Sequence, residues 1–300
     1  MMQPQASDAD QGHSPSRNEQ PSAPEQPRAN SFLLAVQFLT VVPVHRKAAR
    51  ISASGQPDQS GAALDMGRAL PWFPLVGALL GVGVVALNWA LEPIFSRSLR
   101  DVIAIAALLL ATGMLHFDGF VDCCDALLGA RSVERRLEIL RDSRVGAYGV
   151  GGGALLLLTR YATLEALPPR LWAFAVIAAI ITGRWAMVWL VTLFPYVRAH
   201  GAGSGFRASG ARLVGASGIA LALLAALVAI APWGTLTQRA LILAILGASG
   251  LAVALLWALW ASRRLGGGLT GDTYGAASEL VEVVILALAP VVAQLVSSII

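Results

Sequence analysis

Charge is scarce in this chain. Only 13% of its 300 residues are Asp, Glu, Lys or Arg, against 56% hydrophobic, whereas a soluble domain carries about a quarter charged residues. A soluble globular fold is excluded as the first reading. Lysine is almost missing: of 22 basic residues only Lys47 is lysine. The net charge of +4 therefore rests on arginine, and the arginines lie in short loops between apolar runs. That placement suits membrane topology and argues against nucleic acid as a partner. Cysteine is limited to the adjacent pair Cys123 and Cys124. Neighbours cannot staple distant loops and no metal-type spacing exists, so both read as reduced, small, buried side chains. The first 30 residues lack apolar content and a basic start. They read as a disordered polar extension over 1–30 with no secretory signal, ahead of a single membrane-embedded catalytic domain over 31–300.

What is abundant is apolar sequence in runs of about 20 residues, the length that crosses a bilayer. Seven are expected to span: 70–91, 102–121, 145–165, 171–194, 213–233, 240–261 and 276–300. The stretch 31–44, "SFLLAVQFLTVVPV", is shorter and ends at a proline, which suits a re-entrant or interfacial helix. The expected fold class is an all-α polytopic integral membrane protein with about seven transmembrane helices. The short N-terminal helix and one amphipathic cytoplasmic helix complete it. Positive charge alternates along these spans: fourteen Lys and Arg residues fall on one side, against Arg97, Arg100, Arg170 and Arg239 on the other. The rich side is expected to be cytoplasmic. It receives every loop rich in Gly, Asp and Arg: 116–149, 195–212 and 262–275.

Within the first of these loops stands "HFDGFVDCCDALLG", residues 116–129. On a helix, Asp122 lies about 40° to one side of Asp118 and Asp125 about 20° to the other, one narrow stripe. Each carboxylate would cost about 2.5–3.5 kcal/mol at a bilayer centre, and like charges on adjacent turns repel. Either the segment is a wet helix start beyond the interface, or a cation neutralises the stripe. A hard divalent ion such as Mg²⁺ takes carboxylate oxygens together with substrate phosphates and water. His116, about 160° round the helix from Asp118, reads as a capping or packing residue.

The next segment, "RSVERRLEILRDSRVGAYG", is expected to hold the amphipathic helix. Its "RDSR" places Arg141, Asp142 and Arg144 just before Gly146 and a new span. Arginine forks suit phosphate, and Asp142 is a candidate for the metal site or for catalysis. Arg131, Arg135 and Arg136 read as a solvated face. The five glycines Gly146, Gly149, Gly151, Gly152 and Gly153 suit close helix packing. Three further places carry polar chemistry. Arg184 lies mid-span, where an arginine implies a partner or a phosphate. "YVRAHGAGSGF" is a glycine-rich loop with Arg198 and His200. "GGGLTGDTYGAASELVEV" offers Asp272 as a further metal ligand. Its Glu279 and Glu282, sharing a face, are expected to pair structurally, with Arg184 as a candidate partner. His45, after the N-terminal apolar stretch, is weak by itself.

Together these segments resemble the cobalamin synthase family, the adenosylcobinamide-GDP ribazoletransferases. The resemblance covers 31 to about 290 and rests on "FLTVVPV", "PWFPLVGALLG", the long run from His116 to Gly149, the 201–205 glycines and "GGLTGDTYGAASELVEV". The family's D-G-x-x-D-x-x-D run is carried by Asp118, Gly119, Asp122 and Asp125, and its R-D-S-R-x-G run by Arg141, Asp142, Ser143, Arg144 and Gly146. The cysteine pair departs from the small or hydroxyl residues usual between the aspartates.

The resemblance implies a late step of cobalamin biosynthesis in a bacterial or archaeal inner membrane, dependent on Mg²⁺. The adenosylcobinamide phosphate of adenosylcobinamide-GDP passes to α-ribazole or its 5′-phosphate, and GMP leaves. Under it Asp118, Asp122, Asp125 and Asp272 are expected at the metal. Asp118, Asp122, Asp125 and Asp142 are expected in catalysis, and Arg141, Arg144, Arg184 and Arg198 on phosphate or nucleotide. The partners are the two substrates and membrane lipid, without nucleic acid; the oligomeric state is left open. Two alternatives share some of the features. A CDP-alcohol-type phosphotransferase also uses a helical aspartate set, but half of its signature is missing here. A cation or metabolite transporter would show internal repeats, and none is evident.

Overall fold

A computed structural model describes residues 30–43, 66–198, 206 and 209–299. The expected disordered extension over 1–30 lies outside the described residues save for Asn30, as do His45, His200 and the glycines of 201–205. Among those described, the fold is all-α. A short helix α1 (Ser31–Leu39) is followed by a 3₁₀ segment (Met66–Trp72) that runs into α2 (Phe73–Leu91). Then come α3 (Arg97–Ala111), α4 (Leu115–Leu127), α5 (Val133–Ile139) and α6 (Ala147–Ala166). Four long helices complete the chain: α7 (Pro169–Leu193), α8 (Gly210–Ile230), α9 (Leu236–Arg264) and α10 (Gly271–Ile299).

The hub is α7, which packs against α2, α8, α9 and α10. Of its apolar window 89% is buried, against 28% for α8 and for α9. The latter two turn large apolar side chains outward, Val214, Ile230 and Leu256 among them. Such exposure would be a liability in water and is what a lipid-facing helix requires.

Among the described residues, five helical segments are long and apolar enough to cross a membrane: Met66–Leu91, Pro169–Leu193, Gly210–Ile230, Leu236–Arg264 and Gly271–Ser298. A sixth exists if α3 and α4 form one broken span. The expected seven differ from this in two places. The run 102–121 is not one helix, because α3 and α4 meet at 90°. Gly113 and Met114 both take the left-handed conformation, φ 59° and 58°, costly for Met114. Thr112 turns its hydroxyl onto the carbonyls of Leu108 and Leu109, a local bond that competes with helix continuation. The N–H of Val41 donates to the Ala111 carbonyl at 2.9 Å, so the segment after α1 satisfies the end of α3. The run 145–165 does form a helix, α6, but it is not among the segments apolar enough to cross.

The N-terminal apolar stretch is a helix of nine residues, roughly 13 Å long and too short to cross. The amphipathic helix is α5. Ser132 caps it by accepting from Arg135 N, while Leu137 and Ile139 pack on the core.

The two ends of the bundle are chemically distinct. At one end Arg136 donates to the carbonyls of Gly129 and Arg264, and Arg264 to that of Leu127. Arg131 donates to the Asp125 carbonyl. Of the three arginines read as a solvated face, Arg131 therefore caps the C-terminus of α4, and Arg136 caps that of α9. At the opposite end Arg97 donates to the carbonyls of Leu164 and Leu167, and the Trp172 indole to buried Asp101 at 2.9 Å.

Candidate active site

The site is built where α4 crosses the start of α10. Gly119 makes the crossing possible: a Cβ there would lie 2.8 Å from the Asp272 carbonyl oxygen and 2.9 Å from its Cα. One turn earlier on α4, His116 packs its backbone on Gly275, where a Cβ would lie 3.0 Å from the His116 Cα. Side chains flanking these glycines are thereby brought together. Asp122 lies within electrostatic reach of Asp118, Asp125, Asp272 and Arg198.

The four carboxylates are not equivalent. Asp118 is exposed and Asp122 half-buried, and neither accepts a hydrogen bond among the described residues. Asp125 is buried and directed at α6, where its two oxygens accept from the N–H groups of Gly146 and Gly149 at 2.7 and 2.8 Å. It caps a helix N-terminus and complements its dipole. Asp272 accepts from Arg198 at 2.9 Å and from the Thr270 hydroxyl at 3.3 Å.

The loop carrying "RDSR" is strung along the rim. Arg198 also donates to the Leu140 carbonyl at 2.9 Å, and Gly146 is held by Asp125, so both ends of the loop are tied to the carboxylates. The loop after α7 is registered by a short bridge between Tyr196 and Leu269, which places Arg198 over the start of α10. Asp142 is clasped by its own neighbour: Arg144 Nε donates to Oδ1 at 3.0 Å and Nη2 to Oδ2 at 2.8 Å. That guanidinium and the Arg144 backbone N–H hold the Asp142 carboxyl down to about 2. Arg141 is exposed.

Arg184, expected on phosphate, has a different partner. It is buried, and its Nη1 donates to the Ser278 hydroxyl and to Glu282 Oε1, both at 2.5 Å. Arg160 joins from α6, its Nη2 lying 2.8 Å from Glu279 Oε2 and from Glu282 Oε2. Two arginines and two glutamates thus form a buried, charge-balanced cluster. The expected structural pairing of the glutamates is what the fold contains. Arg160 is the member that reading the sequence overlooked. Its signal was an arginine well inside a run otherwise counted as a span, the same signal that singled out Arg184.

Among the described residues, no three of His, Cys, Asp and Glu are preassembled as a metal cage. Mg²⁺, however, keeps several waters and takes one or two carboxylates plus substrate phosphates. Two free carboxylates on one stripe, Asp118 and Asp122, meet that need, and Asp272 stands beside them. The residues fit a metal recruited together with a phosphorylated ligand.

The glycines give a direct test of the packing. Gly119→Ala must push α4 off the α10 backbone and is expected to cost about 1–3 kcal/mol. A Cβ added at Gly151 would meet nothing within 4 Å, so Gly151→Ala should instead be neutral or stabilise by about 0.5–1 kcal/mol. Thermal melts in one detergent decide between them, and equal melting temperatures would refute the close crossing.

A comparison with protein families matches residues 31–290 to cobalamin-5-phosphate synthase. A protein of Desulforamulus reducens named adenosylcobinamide-GDP ribazoletransferase is 36% identical over 253 residues, 84% of this chain and 93% of the relative. Proteins of the same name from Roseiflexus sp. and Pseudomonas fluorescens are each 34% identical, covering 84% and 85% of this chain and 86% and 96% of their own lengths. No solved structure matches the chain.

Proposed function

Because the chain belongs to the cobalamin-5-phosphate synthase family, we propose that it transfers the adenosylcobinamide phosphate of adenosylcobinamide-GDP to α-ribazole or α-ribazole 5′-phosphate. A ribose hydroxyl oxygen attacks the cobinamide-side phosphorus. The bond to the bridging oxygen breaks, GMP leaves with that oxygen, and the hydroxyl proton passes to a carboxylate. The observation that carries this reading is the pair of unpartnered carboxylates, Asp118 and Asp122, on the helix that Gly119 presses against Asp272. Neither a CDP-alcohol phosphotransferase nor a transporter is favoured by the family match.

Asp118 and Asp122 would hold Mg²⁺, which when bound offsets charge on the diphosphate. Arg141, exposed at the rim, is free to meet the departing GMP. Arg144 reaches the same place by exchanging Asp142 for phosphate. Asp142 stays ionised through the neutral range, so this exchange does not depend on its protonation. Arg198 acts by position: it holds Asp272 beside the carboxylate pair and anchors the rim at Leu140. Asp125 acts through the fold, fixing the start of α6. The active-site end is assigned to the cytoplasmic side of a bacterial or archaeal inner membrane, supported by the excess of arginine in its loops.

The test is GMP release by full-length protein in detergent or lipid nanodiscs. Release should require both adenosylcobinamide-GDP and α-ribazole, and should fall to background on chelation and return with Mg²⁺. Folded protein that releases no GMP in lipid would remove the transferase reading. Release unaffected by chelation would remove the metal alone.

A further inference from the structure

Beside the carboxylates, walled by α1, α2, α4, α7 and α10, lies a narrow pocket with about 50 Å³ of free space, several times the roughly 10–15 Å³ that one water needs. One wall is aromatic. The rings of Phe38 and Phe73 stack at 5.8 Å with 15° between their planes, and Phe206 meets both edge-on at 5.0 and 5.9 Å. Met187 and Val191 of α7 face the same space, and among the described residues no arginine or lysine lines it. Its polar lining is small: His116, Asp272 and Tyr274.

His116 is the unusual member. It is 1% exposed, it lines the pocket, and neither ring nitrogen has a hydrogen-bond partner among the described residues. An imidazole always carries at least one N–H, and a buried donor left unpaired is destabilising. The described packing does not explain a histidine here, since a leucine would fill a similar space. A ligand that accepts one hydrogen bond does.

The lining selects the ligand. Phosphate would need cations, which the described lining does not supply. Guanine carries an amide and amino edge that would leave several polar groups unpaired against phenylalanine and methionine. The corrin rim is crowded with amides and is far larger. The remaining fragment of the two substrates is the methylated benzimidazole of α-ribazole: flat, apolar, bicyclic, with one ring nitrogen free to accept. Asp272 belongs both to this pocket and to the carboxylate site, so a base seated here presents its ribose at the place of transfer.

We propose that this pocket is the subsite for the benzimidazole base of α-ribazole, with His116 donating to the base's ring nitrogen as a specificity-determining residue. The proposal rests on the ribazoletransferase reading, and its test separates the two. With wild-type protein, free 5,6-dimethylbenzimidazole should raise the KM for α-ribazole and leave that for adenosylcobinamide-GDP unchanged. Calorimetry with α-ribazole alone needs no turnover. Val191→Phe, which fills the pocket, and His116→Leu should each weaken binding by about tenfold, with His116→Asn recovering part of the loss. His116→Leu should leave the melting temperature unchanged or raised, the opposite of what a structural histidine would give. Competition of the free base with adenosylcobinamide-GDP, or a Val191→Phe effect confined to that substrate, would overturn the proposal. Turnover with α-ribazole binding that is indifferent to both variants would do the same while sparing the transferase. Binding sensitive to both variants in a protein that releases no GMP would uphold the pocket and remove the transferase.

Discussion

Asp122→Asn is expected to lower GMP release by on the order of 10²–10³-fold with no loss of thermal stability. The side chain is half-buried and accepts no hydrogen bond among the described residues. It stands close to Asp118, Asp125 and Asp272, with Arg198 the one nearby cation among the described residues. Neutralising one carboxylate of such a cluster relieves repulsion, so the fold should lose nothing and can gain. What disappears is the charge that a metal-bound diphosphate needs. Asp125→Asn should behave in the opposite way. Its carboxylate accepts from two backbone N–H groups, and an amide offers one oxygen and sets its own NH₂ against the second donor. Hydrogen bonds to a charged group contribute about 1.5–3 kcal/mol each, so a clear drop in melting temperature should precede any change in catalysis. Turnover and melting measured on the same preparations separate these roles. Full activity in Asp122→Asn would move the metal to other residues, and an unshifted melt for Asp125→Asn would deny its capping role.

The largest stability effect is expected at Arg160. Arg160→Leu leaves Glu279 and Glu282 sharing Arg184 alone, in a region where all four side chains are at most 4% exposed. Removing one partner of a buried ion cluster costs about 3–5 kcal/mol, because the remaining charge stays buried and uncompensated. Little folded protein should be recovered from membranes. The double replacement Arg160→Leu with Glu279→Leu removes one cation and one anion, keeps Arg184 with Glu282, and should restore most of the yield. Yield and melting temperature across this cycle are the measurements. Equal damage in the single and double variants would mean that Arg160 acts through packing and not through charge.

The contrast between Asp122 and Asp125 also marks how far the sequence could be read. The helical class, the side that gathers the polar loops, the amphipathic α5 and the shared stripe of Asp118, Asp122 and Asp125 follow from periodicity and charge. Periodicity reports which face a residue occupies, not what lies opposite that face. Nothing in the spacing told Asp125, aimed at the start of α6, from half-buried Asp122, which accepts no hydrogen bond among the described residues. The break between α3 and α4 was hidden for a related reason. Apolar residues continue through it, and the features that make it are a left-handed Gly113–Met114 pair and a bond from Val41, which lies far away in the chain. Arg160 was masked by counting its helix as a plain span. The pocket around His116 depends on Phe38, Phe73, Met187 and Phe206 arriving from four separate segments, a coincidence that only the folded chain creates.

The buried cluster bears on how the protein is made. Chains emerge N-terminal end first, so α6 and α7 reach the membrane carrying Arg160 and Arg184 before Glu279 and Glu282 of α10 have been synthesised. Each arginine at the bilayer centre costs about 2.5–3.5 kcal/mol on insertion scales, and until α10 arrives nothing in the finished cluster offsets it. The nascent bundle is therefore provisional: its hub helix cannot settle until the ribosome has delivered the helix that neutralises it. A chain halted before that point carries two arginines without the glutamates that balance them in the finished fold.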